Sequence, residues 1–281
     1  MSAAHANRYP FTMPSGWFAV AETPDIAVGD AKAAYYFDSH LVVWRDETGE
    51  PHVQDAFCPH LGAHLGHGGL VDNCQIVCPF HGWKFDATGR CLDTPAEPVG
   101  STLCQRIKQR SYPVQEHAGV LFAWLGDEGS TPPPFPRFDC FAAPSTHVFA
   151  FKGLWKCNWL QAFEVGLDPA HTSFLHRFLN DAPLESIGDN PAGKQFRSAS
   201  AGDFGGERWP MTRVMREFHR PDISHEAKPW GLQITTLRPM TEELTHVRVT
   251  HGIFPYTFVI PLSETLTITQ MHMPVDDENT Y

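Results

Sequence analysis

Cys58-Pro-His60, then seventeen residues, then Cys78-Pro-Phe-His81: each of these two short segments offers one thiolate and one imidazole. Two Cys on one iron and two His on the other is the ligand set of a mixed-ligand [2Fe-2S] centre, whose imidazoles raise the potential above that of an all-thiolate cluster. The spacing has a geometric reason. Two short loops that clasp one cluster from opposite sides each need their ligands only one or two residues apart. A Cys2His2 zinc site draws on the same residue types, but zinc modules usually begin C-x2–4-C and end H-x3–5-H. Here each arm mixes one Cys with one His.

A second constellation, with His171 ninety residues after His81, reads Asn158-Trp-Leu-Gln161-Ala-Phe-Glu164-Val-Gly-Leu-Asp168-Pro-Ala-His171-Thr-Ser-Phe-Leu-His176. Two His with a nearby acid suit a non-haem iron, whose usual set is two His and one carboxylate on one face, with positions open for O2 and substrate. On an ideal helix Asp168 and His171 are i,i+3 neighbours and share a face. His171 and His176 are five apart, about 140° around the helix, so a straight helix does not aim both at one metal. A π-bulge, or a helix end near Thr172–Leu175, would bring them together, and π-bulges are frequent at functional sites. The other reading makes Asp168-Pro169 an N-cap followed by Pro at the first helical position, with two surface histidines behind it.

The flanks PHLGAHLGHGG and PFHGWKF resemble the loops of Rieske proteins. Quinol-oxidising Rieske proteins carry one extra cysteine in each loop, joined by a disulfide. The matching positions here are Ala63 and Phe80, so the chain resembles instead the lower-potential centres of bacterial oxygenases and Rieske ferredoxins. A low potential suits a cluster that pushes electrons toward an oxygen-activating iron. Taken with the second motif, the chain resembles the α-subunit of the Rieske non-haem iron, aromatic-ring-hydroxylating oxygenases from Gly16-Trp17-Phe18 onward. CPFHGWKFDATGRC and NWLQAFEVGLDPAHTSFLH point to the α-only, phthalate-dioxygenase-like branch.

That resemblance implies a set of roles. Cys58, His60, Cys78 and His81 would ligate the [2Fe-2S] cluster, and His171 and His176 would ligate a mononuclear Fe(II). Asp168 would bridge the cluster of one subunit to the iron of its neighbour, which requires a head-to-tail ring, a homotrimer or a multiple of three. Electrons would come from NADH or NADPH only through a separate flavin/iron-sulfur reductase. The substrates would be O2 and a small aromatic molecule, an aromatic carboxylate or aryl ether. Ring dihydroxylation, monohydroxylation and O-demethylation all stay open, because pocket shape decides which bond meets the oxidant. The family's third iron ligand is an Asp on a long helix downstream of the closing sheet. Asp276 and Asp277 are the nearby acids, and a turn explains them better than ligation. The expectation is therefore a truncated form, its carboxylate lying beyond Tyr281 and its turnover small.

Two other classes stay in view. A Rieske ferredoxin-like electron carrier needs only the first domain, and the residues after the Pro-rich run, with their own His pair, speak against it. A zinc-stabilised binding protein would be colourless rather than red-brown.

Several residues near the motifs have plainer readings. His64 and His67 lie in the first loop after its ligand places are filled, and suit loop hydrogen bonding or exposure. Trp83 suits packing beside the cluster. Glu164, one turn before Asp168, suits a hydrogen bond near the iron or a structural salt bridge.

The rest of the chain must position these groups. At 281 residues and 42% hydrophobic it has length for a sizeable core. A formal charge of −11 with no basic tract argues against a nucleic-acid partner. There is no apolar run of ~18–20 residues for a membrane span, and the N-terminus lacks a signal-peptide pattern. Seven cysteines is an odd count, and Cys74, Cys91, Cys104, Cys140 and Cys157 suit reduced thiols in the cytoplasm. The expected fold is α+β: a small all-β Rieske domain over residues 1–131, then a helix-plus-antiparallel-sheet, helix-grip-like catalytic domain over residues 132–281. Strands are expected at Tyr35–Phe37, Leu41–Trp44 and Val120–Leu125, before the stiff connector Thr131–Pro136. A loop follows over 181–207. Three β-like runs close the chain: Leu232–Leu237, Thr245–Thr250 with Phe254–Ile260, and Thr265–Met273.

Overall fold

Alternating and wholly apolar runs in the first half of the chain become short antiparallel strands. The computed structural model describes residues 15–177, 194 and 198–281. These fall into two compact units, one reaching Gly153 and one running from Leu154 to Tyr281. In the first unit lie β1 (Gly16–Glu22), β2 (Ala31–Tyr36), β3 (Ser39–Arg45), β4 (Pro51–Asp55), β5 (Leu70–Asp72), β6 (Gln75–Val77), β7 (Lys84–Asp86), β8 (Cys91–Asp93), β9 (Ser111–Tyr112), β10 (Val114–His117) and β11 (Val120–Leu125). They form three sheets, ordered β1-β11-β10, β2-β3-β4-β9 and β5-β6-β7-β8. The strands expected at 35–37, 41–44 and 120–125 are β2, β3 and β11, with Phe37 standing in the turn after β2.

Burial follows from composition. β3 carries Leu41-Val-Val-Trp44, apolar on both faces, and all four are buried. Its Val42 and Trp44 pack with Leu65, Ile76, Trp83, Phe85 and the two cysteines Cys58 and Cys78. Two hairpins repeat one turn. In Asp46-Glu-Thr-Gly49 and Asp86-Ala-Thr-Gly89 the Asp Oδ1 accepts from the Thr N–H, the Thr hydroxyl and the N–H four residues on, at 2.6–3.0 Å. Each Gly takes a positive φ, +94° and +80°, a region closed to most side chains. The Pro-rich run does not hang free. Pro133 O accepts from Trp17 Nε1 at 3.1 Å, and the Phe135 ring packs on Trp17, His117 and Phe122.

The second unit holds α1 (Trp159–Leu167), a hairpin of β12 (Ala201–Phe204) and β13 (Glu207–Pro210), α2 (Met211–Glu217), and a five-stranded antiparallel meander. The meander comprises β14 (Asp222–Lys228), β15 (Gly231–Pro239), β16 (Thr245–Ile253), β17 (Thr257–Pro261) and β18 (Thr267–Met271). An α+β second unit of helix plus antiparallel sheet is therefore what the chain builds. Three details differ from expectation. The stretch 201–207, expected as loop, is a hairpin that leads into α2; positions 181–193 and 195–197 lie outside the described residues. β14 joins the sheet although six of its seven residues are exposed, so no alternation marks it. The buried face of β15 and β16 is also the reverse of what Val and Leu suggest. Leu237 and Val247 are exposed, while Arg238 and Arg248 are 1% and 6% exposed.

Candidate functional site: two ligand loops and a histidine turn

The first candidate centre rests on two loops of one design. Cys58-Pro-His60-Leu-Gly62-Ala63 runs between β4 and β5, and Cys78-Pro-Phe-His81-Gly82-Trp83 closes the β6–β7 hairpin. In each, the Cys N–H donates to the carbonyl five residues on, Cys58 to Ala63 and Cys78 to Trp83, both at 2.8 Å. The Gly N–H then returns to the Cys carbonyl, Gly62 at 2.9 Å and Gly82 at 3.0 Å. Both glycines sit at positive φ, +75° and +70°, which the sixth residue's reversal requires. The two His occupy the third place of one loop and the fourth of the other.

These loops bring all four expected ligands together. Cys58 and Cys78 are buried at 2% and 3% exposure, and the His60 and His81 rings stand 4.7 Å apart. Burial, with the neighbouring Cys78 thiol adding to it, pushes the Cys58 thiol up to about 11. A buried thiol pushed up in this way, Cys58, is a poor thiolate, and metal ligation reverses that preference. His81 Nδ1 is buried without a hydrogen-bond partner. A buried imidazole nitrogen with no hydrogen-bond partner is free to serve as a metal ligand. The donor set fits a mixed Cys/His [2Fe-2S] cluster. His60 stacks flat on Trp83 at 4.4 Å and 7°, with Trp83 2% exposed. His64 Nδ1 accepts from the Gly66 N–H at 3.1 Å, a loop-bonding role.

The second centre begins where α1 stops. Asn158 caps the helix, its Oδ1 accepting from the Leu160 N–H at 3.0 Å. Pro169 ends it, because the residue before a proline is driven out of the α region, and Asp168 has φ −84° and ψ 108°. Asp168 and His171 therefore do not share a helical face, and the helix ends earlier than Thr172–Leu175. Instead the Asp168 carboxylate accepts the N–H of Ala170 at 2.7 Å and of His171 at 3.2 Å, opening a separate 3-10 turn, His171–Ser173. After this break the His171 and His176 rings meet edge to face, centroids 5.2 Å apart at 77°. His171 Nδ1 lies 2.5 Å from the Asp168 carbonyl, so it carries the proton and Nε2 is left to accept. The pair fits two ligands of a non-haem iron. Among the described residues no set of three His, Cys, Asp or Glu side chains is placed to hold one metal ion. Glu164 is exposed on α1, and Asp276 caps a turn through the Glu278 and Asn279 N–H groups at 2.8 Å.

Beside this turn lie residues that the sequence did not single out. Arg238 Nη2 donates to the Pro169 carbonyl at 3.2 Å. In the β15–β16 register Arg238 faces His246 and Thr236 faces Arg248, all on the inner face. Arg238 Nε and Nη1, Arg248 Nε and Nη2, and His246 Nδ1 have no hydrogen-bond partner among the described residues. Burial first, then the neighbouring arginine, lowers Arg248 to about 10; burial and both arginines lower His246 to about 4. Two buried guanidiniums without an acid are costly unless an anion meets them. The signal was present in Thr245-His-Val-Arg-Val-Thr250: polar residues at period 2 can mark the inner face as well as the outer.

Comparison with known proteins finds a family for each half of the chain. The Rieske [2Fe-2S] domain family matches residues 16–113, and the LigXa C-terminal domain like family matches residues 123–281. The phthalate 4,5-dioxygenase oxygenase subunit of Pseudomonas putida is 30% identical over 90% of this chain and 54% of its own length. The 3-chlorobenzoate-3,4-dioxygenase oxygenase subunit of Comamonas testosteroni is 27% identical over 85% and 50%. The chain thus spans about half the length of these curated relatives. In fold it is similar to dicamba monooxygenase bound to dicamba, with TM-score 0.69 and 18% identity over 94% of this chain and 74% of that one. No helix among the described residues is long and apolar enough to cross a membrane. The chain belongs to the Rieske non-haem iron oxygenase family, as a Rieske [2Fe-2S] domain followed by a LigXa C-terminal-like domain.

Proposed function

We propose that the chain is the oxygenase component of a Rieske system that hydroxylates or O-demethylates a small aromatic carboxylate, using O2 and electrons from a separate NADH- or NADPH-dependent reductase. The observation that carries the substrate class is the pair Arg238 and Arg248, buried and without an acid partner, of which Arg238 donates to the Pro169 carbonyl beside the histidine turn. A carboxylate is the anion that fits two such forks, since each guanidinium offers parallel N–H donors. When bound, the [2Fe-2S] cluster supplies single electrons and the Fe(II) supplies O2 activation.

The chain's own residues then divide the work. Cys58, His60, Cys78 and His81 would hold the cluster, and the stacked Trp83 ring fixes the plane of His60. His171 and His176 would hold the iron. Asp168 positions His171 by accepting its N–H, and its carboxylate, half exposed, stays open to a histidine of a neighbouring subunit in a homotrimer. A cytoplasmic setting follows from the thiols and the reductase.

Aromatic acids and their neutral amides, incubated with the purified protein, a surrogate reductase and NADH, should separate by product mass. Binding followed by tryptophan fluorescence gives a readout independent of turnover. Acids should bind at least about tenfold more tightly than amides, a difference of ~1.4 kcal/mol. Equal affinity for both would sink the carboxylate assignment.

A further inference from the structure

Cys91 opens β8 and Cys104 lies in the 3-10 turn Leu103–Arg106, and their Sγ atoms approach to 2.7 Å. Bonded sulfurs sit at about 2.0 Å, so little movement separates contact from bond. The backbone holds this register. Cys91 N–H donates to Ile107 O and Ile107 N–H donates to Cys104 O, both at 3.4 Å. Cys91 is buried and Cys104 is half-buried, so solvent reaches the pair from the Cys104 side. Cys91 belongs to the same apolar cluster as Cys58, Cys78 and Trp83, with Cys104 packed against it.

The two sulfurs bracket residues 92–103, and that segment touches the second ligand loop. A Cβ on Gly82 would meet Pro95 Cγ at 3.2 Å, so Pro95 lies directly on the bend that follows His81. Ala63 and Phe80 rule out a bridge between the ligand loops themselves. A bridge one layer further out would restrain the same region.

We propose that Cys91 and Cys104 form a peroxide-oxidisable dithiol whose disulfide clasps residues 92–103 against the His81 loop. The balance is simple. The Cys104 sulfur attacks hydrogen peroxide, the O–O bond breaks, a sulfenic acid forms, and hydroxide takes up the proton the thiol lost. The Cys91 sulfur then attacks Cys104, the S–O bond breaks, and water leaves with the Cys91 proton. Two thiols lose two electrons and peroxide becomes two waters. Closing the loop limits local opening of the segment, which steadies the loop that carries His81.

Trypsin makes the test direct, because cutting after Arg90 and Arg106 releases one peptide, 91–106, with both sulfurs. The intact protein is titrated with peroxide, its remaining thiols are blocked with N-ethylmaleimide, and the digest is weighed. Peptide 91–106 should escape the label and lose two hydrogens at peroxide levels that leave exposed Cys74 labelled, and dithiothreitol should reverse this. In Cys104→Ser, Cys91 should stay labelled throughout. An endoproteinase that cuts before aspartate should cleave Leu92–Asp93, held in β8, at least about fivefold more slowly after oxidation, because cleavage needs local opening. Labelling of both cysteines while Cys74 oxidises overturns the pair. A disulfide that leaves the Leu92–Asp93 cut unchanged overturns the clasp.

Discussion

Cys78 and His81 occupy a loop whose shape comes from its backbone, Cys78 N–H to Trp83 O and Gly82 N–H to Cys78 O. Changing either side chain removes a ligand and leaves those bonds in place. Cys78→Ser and His81→Ala are expected to lose the visible absorption and EPR signal of the cluster, with far-UV circular dichroism and iron at the histidine turn retained. A surviving signal in either variant contradicts the ligand assignment. Asp168 has two tasks to separate. An amide keeps one acceptor oxygen, so Asp168→Asn loses one of the two N–H bonds to Ala170 and His171, about 1 kcal/mol. If Asp168 also bridges subunits, kcat falls by orders of magnitude while iron content and the KM for the aromatic substrate hold; turnover near the parental rate reduces it to a turn cap. At this scale the sequence was most legible, because ligand chemistry demands particular residue types at short spacing. The arginines were not legible. A buried cation is identified by what surrounds it, and Met215, Pro169 and the β15–β16 register come from distant parts of the chain.

Turns and strands carry a different kind of information. In the Asp46–Gly49 turn, burial pushes the Asp46 carboxyl up, but donors from Thr48, His52 and Glu50 outweigh it and bring it down to about 2 from an ordinary 3.8. A depressed carboxyl contributes stability that is full above the ordinary value and lost as pH falls through the folded one. The parent should therefore lose about 2 kcal/mol between roughly pH 4 and pH 2 that Asp46→Asn has already lost at pH 7. Denaturant melts at pH 7 and pH 3 read this directly: the gap between parent and variant must narrow in acid, and a constant gap refutes the argument. The D-x-T-G pair was visible in the sequence as turn residues, though its shared hydrogen bonding was not. β14 was missed because an exposed edge strand needs no alternation. The end of α1 was open to reading, since Pro169 forces it, yet helix periodicity concealed it.

Across the whole molecule, folding leaves a small margin, typically 5–15 kcal/mol for a protein domain, and Arg238 and Arg248 spend part of it by being buried without an acid. Groups held at such cost are retained for what they bind or specify, and no described carboxylate offsets the burial of either guanidinium. An apolar side chain of similar length removes the desolvation penalty. Arg248→Met should therefore raise the stability of the ligand-free protein by about 1–3 kcal/mol, or a rise in Tm of several degrees for a unit of this size. The same variant should weaken aromatic acids at least about tenfold and leave their amides unchanged, because only the anion loses its partner. Thermal melts with and without an aromatic acid test both halves together: in the parent the acid raises Tm by mass action, and in Arg248→Met that increment disappears from a higher baseline. A variant that melts lower and still responds to the acid would show that Arg248 is a packing element and that the anion binds elsewhere.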